Sequence, residues 1–257
     1  MMDVSFANGT SMVHRLDPRV RVFFAIALSL EIALSAHMGV LGVALFCSCT
    51  LVICSRLRLR EVFFRLLPVC RFLVFLWLIV PLTYEGTPYF TYGRLTWSHE
   101  GIRLAEEISL KSLTILLIFM ALVATMNLST LGRALKRMYI PGKLVQLLLM
   151  TYRYIFVIHQ EYQRLYTAMR IRGFQPGTNM HSYRTYAYLF GMLFVRASKR
   201  AERVHQAMQL RGFSGRFYSL DNFEFSRQNW VFAVLMTLVF ISLIVMEYGA
   251  AWGNILF

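Results

Sequence analysis

Five stretches of the chain are apolar over most of the length of a membrane-crossing helix. Four runs cover residues 20–36, 38–55, 66–84 and 108–126, and a fifth covers residues 231–248. A helix needs about 20 apolar residues to cross the hydrocarbon core of a bilayer, so these runs predict five transmembrane helices. The pattern predicts an all-α integral membrane protein.

A sixth apolar run, residues 144–158, is shorter and carries Arg153 near its middle. If it crossed the membrane, residues 160–230 would lie outside the cell with their eleven Lys or Arg side chains. Basic loops are retained on the cytoplasmic side. We therefore predict that this run begins a long helix lying against the inner face of the bundle.

Charge between the runs predicts the orientation. Residues 127–230 carry sixteen Lys or Arg against four Asp or Glu, which places them in the cytoplasm. The link between the second and third runs holds four arginines, whereas the link between the third and fourth is acidic on balance. With the N-terminus inside, five spans place the C-terminal Phe257 outside.

Three parts of the chain follow from this topology. Residues 1–126 hold four spans, residues 127–230 form a cytoplasmic insert, and residues 231–257 hold the last span. The insert predicts three helices, over residues 129–138, with Ser129 as N-cap, 143–172 and 183–211.

Two segments of the insert are nearly the same. Residues 164–174 are echoed thirty-nine positions later by residues 203–213. Six residue types recur at identical offsets: Arg164, Ala168, Met169, Arg172, Gly173 and Phe174 in the first copy, and Arg203, Ala207, Met208, Arg211, Gly212 and Phe213 in the second. At helical spacing the two arginines and the alanine of each copy share one stripe, and Gly is the usual residue at a helix end.

The repeated helix ends have the chemistry of a contact surface. A small Ala lets another surface approach closely, and the terminal Arg offers a planar fork that suits a carboxylate. Two such ends indicate a surface that grips two equivalent partners. Both long helices begin apolar and end charged, which predicts a hairpin whose Arg-Gly ends project from one exposed end. Alternatively, both arginines could bind anionic lipid headgroups.

Charged residues inside the spans are costly and therefore informative. Glu31 lies towards the outer end of the first span, and Lys111 lies at a matching depth in the fourth. We predict an ion pair between them that stabilises the bundle; an ion path is the less favoured interpretation.

Composition and motifs narrow the function. A mean hydropathy of +0.53 with a net charge of +14 fits a membrane protein with segregated charge. The sequence lacks a GxxxxGK[ST] phosphate loop, HExxH, GxSxG and paired-aspartate motifs. The four cysteines lack CxxC spacing, and His99 with Glu100 is too small a set of ligands. No catalytic residue, metal site or cofactor is predicted.

With five spans, a basic insert and two Ala-Met-x-x-Arg-Gly-Phe ends, the chain resembles the transmembrane T component of energy-coupling factor transporters. The segment from His14 to Arg19 is similar to the family's N-terminal signature. The tripeptides ending at Gly173 and Gly212 match its paired Ala-Arg-Gly motifs, with Ile171 and Leu210 in place of Ala. Residues 152–156 and 200–204 most resemble the cobalt-type subgroup, CbiQ.

This resemblance implies a non-catalytic subunit of an importer in the inner (plasma) membrane. Its partners would be two ATP-binding-cassette ATPases, which hydrolyse ATP, and a CbiM-like substrate-binding membrane subunit, often with a small CbiN-like subunit; nucleic acid is not expected. ATP-driven motion would pass through the two Arg-Gly ends, for cobalt uptake or, alternatively, for nickel or a vitamin. The residues are also compatible, less well, with a secondary transporter that has its own substrate site or with a membrane-embedded enzyme.

Overall fold

The structure, a computed structural model, describes residues 16–55, 57, 59–84, 86–92, 95–138, 140–215 and 227–256. These residues form eight α-helices and two short β-strands, in the order α1 Pro18–Leu34, α2 Met38–Cys54, α3 Leu59–Thr83, β1 Pro88–Tyr92, β2 Leu95–Ser98, α4 His99–Leu122, α5 Leu128–Arg137, α6 Gly142–Ile171, α7 Met180–Leu210 and α8 Arg227–Leu256. His14 and Arg15 of the N-terminal signature lie outside the described residues, as does Phe257.

The chain divides into two compact units. The first, Met1–Ala134 with Phe223–Phe257, holds α1 to α4 and α8, and the second, Leu135–Asn222, holds α6 and α7. In the first unit, α4 packs against α1, α2 and α3. Its core includes Leu28, Leu41 and Leu122, each at most 2% exposed.

Within the described part of the chain, two helices are long and apolar enough to cross a membrane, namely α3 and the Asn229–Gly249 part of α8. α2 is also apolar but has only 17 residues. Large apolar side chains on α3, such as Phe72 and Val74, are more than half exposed, which suits a lipid-facing surface. These helices, with α1 and α4, overlap the five predicted apolar runs, and the all-α membrane fold is confirmed.

Polar side chains join α1 and α8 where both helices begin. The Asp17 carboxylate accepts a hydrogen bond from the Arg19 N–H at 3.0 Å and caps α1, whose first residue is Pro18. The Asp17 N–H donates to the side-chain oxygen of buried Asn229 at 3.0 Å. The Asp-Pro pair of the N-terminal signature thus starts α1 and fixes it to α8.

A β-hairpin between α3 and α4 was not anticipated from the sequence. β1 and β2 pair antiparallel, and α4 then begins at His99, ahead of the apolar run. The Glu100 carboxylate accepts hydrogen bonds from the N–H and hydroxyl of Thr87, at 2.8 and 3.0 Å. Hydrogen bonds from its own backbone and from Thr87 hold the pKa of the Glu100 carboxyl below its ordinary value. Glu100 therefore anchors the residue that precedes β1 to the first turn of α4.

The helices of the basic insert lie close to their predicted bounds. α6 and α7 begin and end within three residues of the predicted positions, and the apolar run 144–158 forms the first half of α6. α5 begins at Leu128, so the prediction that Ser129 is its N-cap is wrong by at least one residue. The carbonyl of Asn127 accepts the first backbone hydrogen bond, from the Leu131 N–H at 2.9 Å.

Candidate functional site at two Arg-Gly helix ends

The first copy of the repeat ends α6 in a defined hydrogen-bonded turn. Arg172 is the C-cap residue, and Gly173 follows it with a left-handed φ of 83°. The Gly173 N–H donates to the Arg170 carbonyl at 3.0 Å, and the Phe174 N–H donates to the Met169 carbonyl at 3.2 Å. These bonds form a Schellman motif, whose left-handed position glycine adopts without strain.

The second copy ends α7 with the same turn. Arg211 is the C-cap residue, and Gly212 has a φ of 76°. The Gly212 N–H donates to the Gln209 carbonyl at 3.0 Å, and the Phe213 N–H donates to the Met208 carbonyl at 3.1 Å. The sequence-based prediction of glycine-terminated helices is correct at both sites.

The turn explains why Met and Phe recur together with Gly. In a Schellman motif the residue after the glycine commonly makes an apolar contact with the residue that accepts its hydrogen bond. These residues are Met169 and Phe174 in one copy and Met208 and Phe213 in the other, and all four are half-buried. Met and Phe therefore have a local structural reason to recur, independent of any partner.

The remaining repeated residues are exposed. Ala168, Arg172, Ala207 and Arg211 are all open to solvent, and so are the two arginines that begin the copies, Arg164 and Arg203. The residue before each terminal Arg is large, apolar and highly accessible, since Ile171 is 80% and Leu210 is 89% exposed. The sequence pattern marked Ile171 and Leu210 only as departures from Ala. In the structure each helix end therefore also carries an exposed apolar side chain. We call the two helix ends, residues 171–173 and 210–212, the tips.

One face of α6 lines a shallow groove that leads to the first tip. The groove has a volume of about 550 Å³ and is lined by Gln160, Gln163, Arg164, Thr167, Ala168 and Ile171. These residues recur at three- and four-residue spacing, so they form one helical stripe. The predicted stripe of Arg164 and Ala168 is present and ends at Ile171, with Arg172 just beyond the helix.

The two ends do not project from one end of a hairpin, so that expectation is wrong. The Phe174 ring packs edge-on against Tyr186, with ring centroids 5.6 Å apart, which keeps the end of α6 beside the first half of α7. Arg211 lies about 25 residues further along α7 than Tyr186, roughly 37 Å at the usual helical rise. An eight-residue connection forces α7 to start where α6 ends, so the tips are far apart.

A carboxylate joins α6 to α7 between these tips. Arg196 Nη1 of α7 donates to Glu161 Oε1 of α6, and Arg164 Nη1 lies 3.7 Å from Glu161 Oε2. The Glu161 side chain is only 14% exposed. The hydrogen bond from Arg196 holds the pKa of the Glu161 carboxyl below its ordinary value of 4.5. Arg164, predicted as a supporting residue of the contact stripe, thus also takes part in this contact.

The predicted ion pair between Glu31 and Lys111 is not formed. Lys111 Nζ instead donates to Glu107 Oε1 at 2.6 Å, one turn earlier on the same helix. Both carboxylate oxygens of Glu31 are buried, and they have no hydrogen-bond partner among the described residues. The prediction relies on the similar depth of Glu31 and Lys111 in their predicted spans. Depth alone does not specify which face of its helix a residue occupies.

Glu247 of α8 is an acidic residue that the sequence pattern did not single out. Its carboxylate accepts hydrogen bonds from the Ser35 hydroxyl at 2.6 Å and the Ala36 N–H at 2.9 Å, and it contacts His37 Nδ1 at 3.0 Å. It lies close enough to Glu31 for the two charges to repel. The described residues contain no group of three or more His, Cys, Asp or Glu that could hold a metal ion. The cluster therefore fixes the α1–α2 turn to α8.

Comparison of the sequence with known proteins identifies a family and several relatives. The family described as CbiQ, cobalt transport protein, matches residues 9–220. An energy-coupling factor transporter transmembrane protein EcfT from Brevibacillus brevis is 28% identical over 221 residues, covering 82% of this chain and 83% of the relative. An EcfT from Ruminiclostridium cellulolyticum is 25% identical across 95% of this chain and 96% of its own. A cobalt transport protein CbiQ from Salmonella typhimurium is 30% identical over 118 residues, covering 46% and 52%.

Proposed function

The chain belongs to the CbiQ family of cobalt transport proteins, and from that premise we propose that it is the coupling subunit of an importer. In this proposal two ATP-binding-cassette ATPases bind the chain, one at each Arg-Gly end. A CbiM-like membrane subunit, with a small CbiN-like subunit, carries the substrate, which we propose is the cobalt ion. The chain itself transmits motion and performs no chemistry.

The observation that carries the proposal is the duplicated exposed helix end. Arg172 and Arg211 occupy the same C-cap position, next to an exposed Ile171 or Leu210 and a left-handed glycine. Two structurally equivalent surfaces in one chain suit two equivalent partners. α7 carries Arg211 roughly 37 Å beyond Tyr186, the residue that packs against the end of α6, so each end has room for a separate protein.

The chemistry of each end favours a protein groove with carboxylates at its rim. An Arg guanidinium forms two parallel hydrogen bonds to a carboxylate, and removal from water strengthens such a contact. The adjacent Ile171 or Leu210 would bury its side chain in the same groove, which contributes about 1.5–3 kcal/mol per residue. The small Ala one turn earlier allows close approach of the partner.

α6 and α7 suit the transmission of motion. Each is a continuous helix of about 30 residues, so a displacement at its end is carried along its length. In this scheme ATP-driven closure of the ATPase pair moves the tips, and the helices pass that motion to the substrate-binding subunit. A mobile element of this kind needs no catalytic residue of its own.

The orientation is part of the proposal. We expect the insert, residues 127–230, to be cytoplasmic because it is strongly basic. Single cysteines at Gly177 and Asn254, in a chain without native cysteines, would be labelled with a membrane-impermeant maleimide. Labelling at position 254 and protection at 177 in intact cells are expected, and the reverse pattern would refute the five-span topology.

The test of the function is purification of the tagged chain from its native membrane. We expect it to bring down two ATPase subunits and a second membrane protein, and the purified complex to hydrolyse ATP. Uptake of radioactive cobalt into proteoliposomes, competed by nickel, would identify the ion. Transport by the isolated chain without any ATPase would instead support a secondary transporter.

A further inference from the structure

Glu161 is unusual in its surroundings. α6 and α7 together contain only two acidic residues, Glu161 and Glu202, against nine Lys or Arg. Glu161 contacts Arg196 and so joins the two helices. The Glu161 side chain is 14% exposed, whereas the side chains of Arg164 and Arg196 are 74% and 49% exposed. A single carboxylate thus neutralises a crossing point where positive charge from both helices accumulates.

A further basic residue of α7, Arg200, also acts on this carboxylate. The thirty-nine-residue offset that relates the two copies maps Glu161 onto Arg200. Arg200 lies close enough to Glu161 for its charge to act on the carboxylate. Glu161 lies eleven residues before Arg172 and Arg196 lies fifteen residues before Arg211, so roughly 16 and 22 Å of helix separate this contact from the two ends.

We propose that the Glu161–Arg196 ion pair is the pivot of α6 and α7, fixing the angle between the two arms that end at Arg172 and Arg211. This inference rests on the proposed coupling function. While the Glu161–Arg196 ion pair is formed, displacement of one tip rotates both helices together as one rigid unit. Without it, each arm moves independently and the motion is lost before it reaches the membrane subunit. Glu161 and Arg196 are positioning residues, distant from the tips themselves.

The first measurement is the distance between the tips. Spin labels at Gln175 and Ser214, in the full chain with Cys47, Cys49, Cys54 and Cys70 replaced by serine, report this distance by pulsed electron paramagnetic resonance in nanodiscs. We expect one narrow population in the parent chain and a clearly broadened one in Glu161→Gln. Glu202→Gln is the matched control, because it removes the same charge from the same helix pair; it should leave the width unchanged.

The second measurement is the amount of ion transported per ATP in the complex with the ATPases that co-purify with the chain. Glu161→Gln should retain ATPase binding and hydrolysis but reduce this ratio by about three-fold, the scale expected for a partly exposed ion pair. The reversals Glu161→Arg and Arg196→Glu should each reduce it, and the double reversal should restore both the ratio and the narrow distance distribution.

The outcomes separate this inference from the coupling function. An unchanged tip distance in Glu161→Gln and in both single reversals would overturn the pivot, whatever the transport result. Failure of the double reversal to restore the distance would also overturn it. Loss of the coupling function would appear differently, as failure of any ATPase to bind the parent chain, while the distance measurement on the chain alone would still test the pivot.

Discussion

Arg21 and Leu122 lie 101 residues apart in the sequence, yet the guanidinium of Arg21 donates to the Leu122 carbonyl from both Nε and Nη2, at 3.1 and 3.0 Å. Nη2 also donates to the Thr125 hydroxyl at 2.6 Å. Leu122 is the last residue of α4, where backbone carbonyls lack helical partners. Arg21 is only 2% exposed. The first turn of α1 therefore supplies the cap for the end of α4.

Replacing Arg21 should destabilise the bundle strongly. Arg21→Met keeps most of the apolar volume but leaves the Leu122 carbonyl buried without its charged donor, which we expect to cost about 2–3 kcal/mol. Arg21→Lys should cost less, because one ammonium can reach one of the two acceptors. Thermal unfolding in detergent would measure both. Arg103→Met, at an exposed position, is the control and should change stability by about 0.5 kcal/mol or less.

The positions and ends of the helices could be predicted from local sequence patterns. The contacts between helices could not, because they depend on which face each helix turns towards its neighbours. Apolar runs located α1 to α4 and α8, and Gly173 and Gly212 located two helix ends, because periodicity and left-handed turns are local properties. Arg21 has no comparable local signal, because its contact with Leu122 exists only once α1 packs against α4. The separation of the two tips follows from the short connection between α6 and α7. The gradient of charge along each helix instead favours two tips at the same end of the helix pair.

Glu31 should tolerate loss of its charge. Its carboxylate is buried without a hydrogen bond among the described residues and is close to Glu247, so we expect Glu31→Gln to raise the midpoint of thermal unfolding by a few degrees. Lys111→Met should lower stability by about 0.5 kcal/mol through loss of the helical pair with Glu107. The two effects should add within about 0.5 kcal/mol in the double variant. A larger coupling energy would revive the direct Glu31–Lys111 pair.

Alanine at three glycines should have effects of opposite sign. Gly173→Ala and Gly212→Ala place a side chain at a left-handed φ, which costs about 1–2 kcal/mol each and should fray the helix end. Gly191 lies inside α7, where an added Cβ would meet nothing within 4 Å, so Gly191→Ala should stabilise the protein by about 0.5–1 kcal/mol. Chemical unfolding of the three variants measures this difference. Equal effects at all three positions would argue against the Schellman turns.

Arg172 and Arg211 should each be needed for assembly with the ATPases. Truncating one partner of a desolvated Arg–carboxylate contact typically costs about 2–5 kcal/mol, so Arg172→Ala and Arg211→Ala should each weaken co-purification of an ATPase. The double variant should lose transport while still inserting into the membrane. Arg170→Ala is the matched control, since Arg170 is exposed in the same helical turn but is replaced by Gln209 in the second copy.

Lysine at positions 172 and 211 separates the two interpretations of these arginines. If each guanidinium grips a carboxylate of an ATPase, lysine should restore little of the lost affinity, because an ammonium cannot form two parallel hydrogen bonds. If both arginines only meet anionic lipid headgroups, lysine should substitute freely and ATPase binding should be unaffected by any of the changes. Binding to purified ATPases in nanodiscs with and without anionic lipid distinguishes these outcomes. Full transport by the Arg172→Ala/Arg211→Ala variant would end the assignment of the Arg-Gly ends as coupling sites, because both proposed contacts would then be dispensable.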